Sequence, residues 1–174
     1  MIELLILYIL TRREFTMYGI SKEIESKFGA YTMPSFGALK PALRRLETGG
    51  FLTFRKMMSD GGKLSVYYSI TKNGEKELKN LMLDKISVNP VQFITNAKIK
   101  LACSACLNRE ERSEFYLNVK TSVLEIKNKA EKILTDDYTP KDFYQKILLD
   151  NTIVEYSNLL HIIEGFEKDN ERNS

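Results

Sequence analysis

The residues of this chain whose types and spacing could do chemistry are mainly cations set beside small side chains. Between Ser35 and Thr48, the positions Ala38, Pro41, Arg44, Arg45 and Thr48 fall together at 100° per residue, with Lys40 close by. Such a face is slim at its leading end and cationic further along. A helix that enters a DNA major groove beside phosphates needs this shape and charge. Lys56 and Lys63 flank the turn sequence Asp60-Gly61-Gly62 a few residues later. The other candidates are weaker. Cys103-Ser-Ala-Cys106 is a CxxC, but it lies mid-helix in an apolar stretch, with no second pair to complete a zinc site. A redox CxxC belongs at a helix N-terminus after a strand, so these two read as core thiols. His161, the single histidine, sits among Leu159, Leu160, Ile162 and Ile163 and reads as a packing residue. Asp136-Asp137 reads as a charged turn. With no nucleophile set and no glycine-rich phosphate loop, no enzyme chemistry, metal or cofactor is expected.

The cationic face needs a helix to carry it. Phe36, Leu39, Leu43 and Leu46 form the opposite, apolar ridge at spacings of three and four. Thr32 or Ser35 can cap its start, and Gly49 or Gly50 can stop it by taking a left-handed conformation. A hairpin follows. Leu64, Val66, Tyr68 and Ile70 alternate with polar or amphipathic residues, and residues 51–56 supply the partner strand, with Leu52 and Phe54 inward. The turn between them tolerates positive φ. Helix, ribbon and basic tip in this order make a winged helix-turn-helix.

Charge is distributed to match. The 174 residues carry a net +3, but residues 1–85 hold 14 Lys/Arg against 9 Asp/Glu, and residues 86–174 hold 12 against 14. The basic half is the half with the wing pattern. Residues 1–10 are apolar, yet too few and without the basic leader or cleavage site of a secretory signal. No run reaches the length of a membrane span. The chain therefore reads as cytoplasmic.

Before the ridge helix, residues 1–11 and 21–28 read as helices, with Phe15 and Met17 in the loop between. Ile20 and Ile24 should pack on the ridge, and Tyr18 stands where its phenol could reach a phosphate. After the hairpin, Thr71 caps a helix over 72–86 with Leu78, Leu81 and Met82 inward. Ser87-Val88-Asn89-Pro90 bends the chain, which places a boundary between residues 1–87 and 88–174. The second half is helical throughout. Asn108-Arg109-Glu110-Glu111 opens a helix as a capping box. That helix carries Phe115, Val119, Val123 and Ile126 at near-heptad spacing. Thr139-Pro140 starts the last helix, with Ile153, Tyr156, Leu160 and Ile163 along one stripe and a second apolar stripe beside it. Helices apolar on two sides are buried on two sides, and a second copy of the chain is the simplest partner.

These motifs in combination resemble the PadR family of transcriptional regulators. Tyr18-Gly19 matches the family's YG near its second helix. Gly37-Ala38-Leu39-Lys40-Pro41-Ala42-Leu43-Arg44-Arg45-Leu46-Glu47 matches its G-T-L-Y-P-x-L-x-R-L-E run. Gly61-Gly62 through Tyr67-Tyr68-Ser69-Ile70-Thr71, closed by Gly74 and Leu78, matches its wing and following helix. The chain departs at Ala38, where the family has Thr, and at Lys40, where it has Tyr, so an operator sequence does not carry over. The fold expected is mainly α with a small β-hairpin wing: an N-terminal winged helix-turn-helix plus a C-terminal antiparallel helical dimerisation domain. The function implied is a homodimeric regulator, a repressor, on a palindromic operator in double-stranded DNA. Ala38, Lys40 and Pro41 would line the groove, Ser35 and Arg44 would hold phosphate with Arg45 beside them, Lys56 and Lys63 would anchor the wing, and Tyr18 would touch the backbone. The resemblance also implies a small hydrophobic effector near the dimer interface, for which Phe93, Tyr116 and Tyr156 are the available aromatics. The rival reading is a winged helix that binds another protein.

Overall fold

The computed structural model describes residues 1–58, 62, 64–87 and 89–172. Lys63 and most of the Asp60-Gly61 turn lie outside the described residues. The chain divides into two compact units, Met1–Asp84 with Lys98–Cys106, and Lys85–Ala97 with Leu107–Ser174. This differs from the sequence boundary at 87/88 chiefly in assigning residues 98–106 to the first unit.

The first unit is built around α1 (Ile2–Leu10), in which every residue from Leu4 to Leu10 is buried. A helix apolar all round has no solvent face to offer, and α1 is accordingly packed by its neighbours. Next come β1 (Phe15–Thr16), α2 (Met17–Phe28) and α3 (Phe36–Thr48). β2 (Leu52–Met58), β3 (Leu64–Ile70) and α4 (Lys72–Leu83) complete the winged helix. The sheet is antiparallel in the order β1-β3-β2. Its register pairs Phe15 with Tyr68 and Leu52 with Ile70. The strand at Phe15–Thr16 corrects the expected loop: the hairpin is a three-stranded sheet, and Met17 already begins α2.

Hydroxyl caps set the helix starts. Thr16 Oγ1 accepts from Gly19 N at 3.1 Å, Ser35 Oγ from Ala38 N at 3.3 Å, and Thr71 Oγ1 from Gly74 N at 3.0 Å. α3 ends at Gly49, and Gly50, at φ +72°, is the residue that takes the left-handed turn. Leu39, Ala42, Leu43 and Leu46 are the buried ridge of α3 and face a core that includes Ile20 and Ile24. Phe36 and Phe54 are exposed, against expectation. Phe36 is the first residue of α3 and projects before the packed turns begin; Phe54 lies on the ribbon, its ring tilted against that of Tyr68.

Lys100 lies in α5 (Pro90–Cys103), a helix shared between the units, and is 5% exposed. Its ammonium donates to the carbonyls of Asp84 at 2.6 Å and Met82 at 3.3 Å, which closes the C-terminal end of α4. We expect Lys100→Ala to cost about 2–4 kcal/mol in urea unfolding, because it opens a cavity and strands two carbonyls. Burial pulls the Lys100 ammonium below the ordinary lysine value of 10.5. The unfolded chain then binds more protons just under that value, so stability in the wild type rises with pH there, and the rise is lost in the variant.

In the second unit, α6 (Arg109–Leu134) packs antiparallel to α7 (Phe143–Arg172). The capping box at Asn108 and Glu111 is present, with both hydrogen bonds at 2.8 Å. α7 begins later than Thr139-Pro140 because Asp142 and Gln145 form a reciprocal cap, at 2.9 and 3.1 Å. Tyr116 stacks on Phe166 at 5.9 Å, and Lys120 pairs with Glu167 at 2.8 Å. Asn170 donates to Ser113 Oγ and the Arg109 carbonyl, which pins the end of α7 to the start of α6.

Candidate nucleic-acid interface

The outward face of α3 holds the sequence-predicted cations together. Lys40, Pro41, Arg44, Arg45 and Thr48 are exposed and line one open hollow on the first unit. Ser35 is exposed at the N-cap, and Ala38 is half-buried at the edge of the face. Pro41 brings no N–H to the helix, so the ladder lacks the bond that residue 41 would give the Gly37 carbonyl. The two arginines differ. Arg45 Nε donates to Glu3 Oε1 at 2.7 Å, which partly spends its charge within the fold. Among the described residues, no carboxylate pairs with Lys40 or Arg44.

The wing shows a similar division. Arg55, beside the predicted Lys56, forms a two-pronged pair with Glu14, with Nε to Oε2 at 2.8 Å and a second contact from the other guanidinium nitrogen. That hydrogen bond holds the Glu14 carboxyl below its usual range. The pair ties the residue before β1 to the middle of β2. Lys56 stays exposed and pairs with no described carboxylate.

Tyr18 is exposed at the start of α2, and its ring lies parallel to that of Phe36 at 6.4 Å. Sequence periodicity missed Phe36 as a surface residue, since it continues the ridge spacing of Leu39, Leu43 and Leu46. The signal that could have found it is its place at the first helical position, next to Ser35.

The residues expected at contact with a second copy are covered to different degrees within the chain. Phe115, Val119, Val123, Tyr156 and Ile163 are buried within the chain, and Ile126, Ile153 and Leu160 are half-buried. The near-heptad seam serves packing inside one chain. The exposed apolar residues of α6 and α7 are another set, including Leu117, Leu124, Ile147, Leu148, Val154 and Ile162. Phe93 packs on Tyr156 at 6.0 Å, and Tyr116 lies between Phe115 and Phe166. His161 is exposed rather than packed within the chain. Cys103 is buried, and burial pushes its thiol up, away from the thiolate form. Among the described residues, no group of His, Cys, Asp and Glu could hold a metal ion, and no helix is long and apolar enough to cross a membrane.

Residues 6–80, which run from the second half of α1 through most of α4, match the model of the transcriptional regulator PadR-like family. Over these residues the chain is similar to the PadR-like family of transcriptional regulators. Tyr18-Gly19, the α3 run from Gly37 to Glu47 and the β3 run through Thr71 all lie within the matched span. The family is one of transcriptional regulators rather than enzymes. Over 168 residues, the chain is 20% identical to the negative transcriptional regulator PadR of Bacillus subtilis strain 168, covering 92% of each protein. Among solved structures, B. subtilis PadR in complex with operator DNA is 18% identical, covers 95% of this chain and 96% of that one, and has a TM-score of 0.47. The protein smu.1704 of Streptococcus mutans UA159 is 32% identical over 46% of this chain and 71% of its own, with a TM-score of 0.41.

Proposed function

We propose that the chain is a cytoplasmic, homodimeric repressor that binds a palindromic operator in double-stranded DNA. The observation that carries this reading is the outer face of α3, where Lys40 and Arg44 stand exposed without a described carboxylate partner, beside small or ring-locked residues. An unspent guanidinium suits phosphate, and a slim helix face suits the major groove. Ala38 and Pro41 complete the groove contact, Ser35 holds phosphate with Arg44, Arg45 lies at the margin, and Tyr18, Lys56 and Lys63 meet the flanking backbone. The name of the B. subtilis relative, a negative regulator, supports repression. The apolar residues left outside on α6 and α7, Leu117, Leu124, Ile147, Leu148, Val154 and Ile162, are the surface a second copy would cover.

Selection of bound fragments from random DNA tests the reading, together with the mass of the protein in solution by light scattering. A palindromic consensus and twice the chain mass are the expected results. Affinity that ignores sequence, vanishes at moderate salt and leaves no footprint would instead make this a protein-binding winged helix.

A further inference from the structure

The Phe36 side chain has no polar atom and cannot itself hold phosphate, yet the residue is 46% exposed at the first position of α3. It is braced from behind by Tyr18, 62% exposed, through a stack within 7° of parallel. Met33, two residues before the helix, is also exposed. Lys40 follows Phe36 by four residues and therefore stands on the same side of the helix, one turn on. Next to the ring, Gly37 carries no side chain, and the nearest atom a methyl there would meet is Ser35 Oγ at 3.6 Å. The leading end of α3 is thus an apolar ring, stacked on a second one, ahead of a cation, with open space at its side. In a major groove the apolar feature presented by a base edge is the thymine 5-methyl group.

We propose that Phe36 is a specificity-determining residue that contacts the 5-methyl group of a thymine in each half-site. The proposal rests on the DNA-binding reading above. The cations of the same face fix where the helix lies, and the ring distinguishes thymine from cytosine there, because cytosine offers an amino group and no methyl.

The test uses a duplex recovered by selection, resynthesised with one thymine at a time replaced by deoxyuridine. This keeps the base pair and removes only the methyl. The full-length wild type should lose affinity about fourfold at one thymine of each half-site, the effect of exposing one methyl-sized group. Phe36→Ala removes the contact from both half-sites, so it should bind the thymine duplex about sixteenfold more weakly than the wild type does, as weakly as the wild type binds a duplex substituted in both half-sites, and should no longer tell thymine from deoxyuridine. Its salt dependence should be unchanged, since no phosphate contact is lost. Wild-type binding that is indifferent to every deoxyuridine substitution overturns the proposal. So does a Phe36→Ala protein that melts like the wild type and keeps the methyl preference. If that variant does not fold, the wild-type scan decides alone, with Phe36→Leu as the partial-contact control. Failure to recover any consensus duplex defeats the DNA-binding reading itself, a result separate from indifference to the methyl group.

Discussion

Gly74→Ala should lower the melting temperature by roughly 10 °C, the consequence of losing about 3 kcal/mol. Gly74 lies in the first turn of α4, and a methyl group there would stand 2.1 Å from the Phe51 carbonyl oxygen and 2.8 Å from Ile70 Cγ1. Neither neighbour can retreat cheaply. The Phe51 carbonyl accepts from Thr71 N at 3.0 Å, and the Phe51 amide donates to the Leu46 carbonyl at 2.9 Å. Thr71 is fixed in turn, since its hydroxyl reaches the Gly50 carbonyl at 2.8 Å while accepting from Gly74 N. Ile70 is held in register opposite Leu52. The clash therefore falls on a junction where the end of α3, the root of the ribbon and the cap of α4 meet. Gly37→Ala is the control: it makes the same change in helix propensity, and its methyl would meet only Ser35 Oγ, at 3.6 Å. Circular dichroism melts of the two variants separate the effects. A Gly74→Ala protein that melts within two or three degrees of the wild type would show that the junction gives way easily.

Removing Lys40 and Arg44 together should weaken DNA binding about a hundredfold at low salt, across all duplexes rather than for one sequence. Each lost phosphate contact should lower the slope of log affinity against log salt by about one. Arg45→Ala should do much less, because its guanidinium already donates to Glu3. Glu3→Gln sharpens the comparison. It releases Arg45 to the outer face and should raise affinity modestly, with little change in stability, since an exposed pair of this kind is worth at most about 1 kcal/mol. Fluorescence anisotropy over a salt series reads all of these. If Arg45→Ala proves as costly as Arg44→Ala, the Glu3 pair does not compete with DNA. If neither changes the salt slope, the α3 face is not the phosphate contact.

Much of the first unit was legible because its local signals agree. Ser35 and Thr71 cap where hydroxyls precede helical spacing, and Gly50 turns where a positive φ is needed. What periodicity could not supply was where an apolar stripe stops being covered. Phe36 continues the spacing of Leu39 and Leu43, but burial depends on which neighbours reach the first turn, a tertiary fact. β1 left no trace because two residues are too few to alternate, and its pairing is with residues some fifty positions away. Lys100 reads as an ordinary solvated lysine until the end of α4 supplies two carbonyls for it. The candidate site was legible in its cations but not in their pairing. Nothing local distinguishes Arg44 from Arg45, or Lys56 from Arg55; that choice is made by Glu3 and Glu14, about forty residues distant. On α6 and α7 the heptad spacing found the apolar residues, yet spacing alone does not say which stripe turns inward.

Thr16 ends the outer strand of the sheet and is at the same time the cap of α2. No slack chain separates ribbon from helix there, so no dihedral is spare to absorb a relative rotation. A wing pressed against a duplex would push directly on the base of α2, and through the Tyr18–Phe36 stack on the tip of α3. On the DNA-binding reading proposed above, a load on the wing would therefore reach the tip of α3.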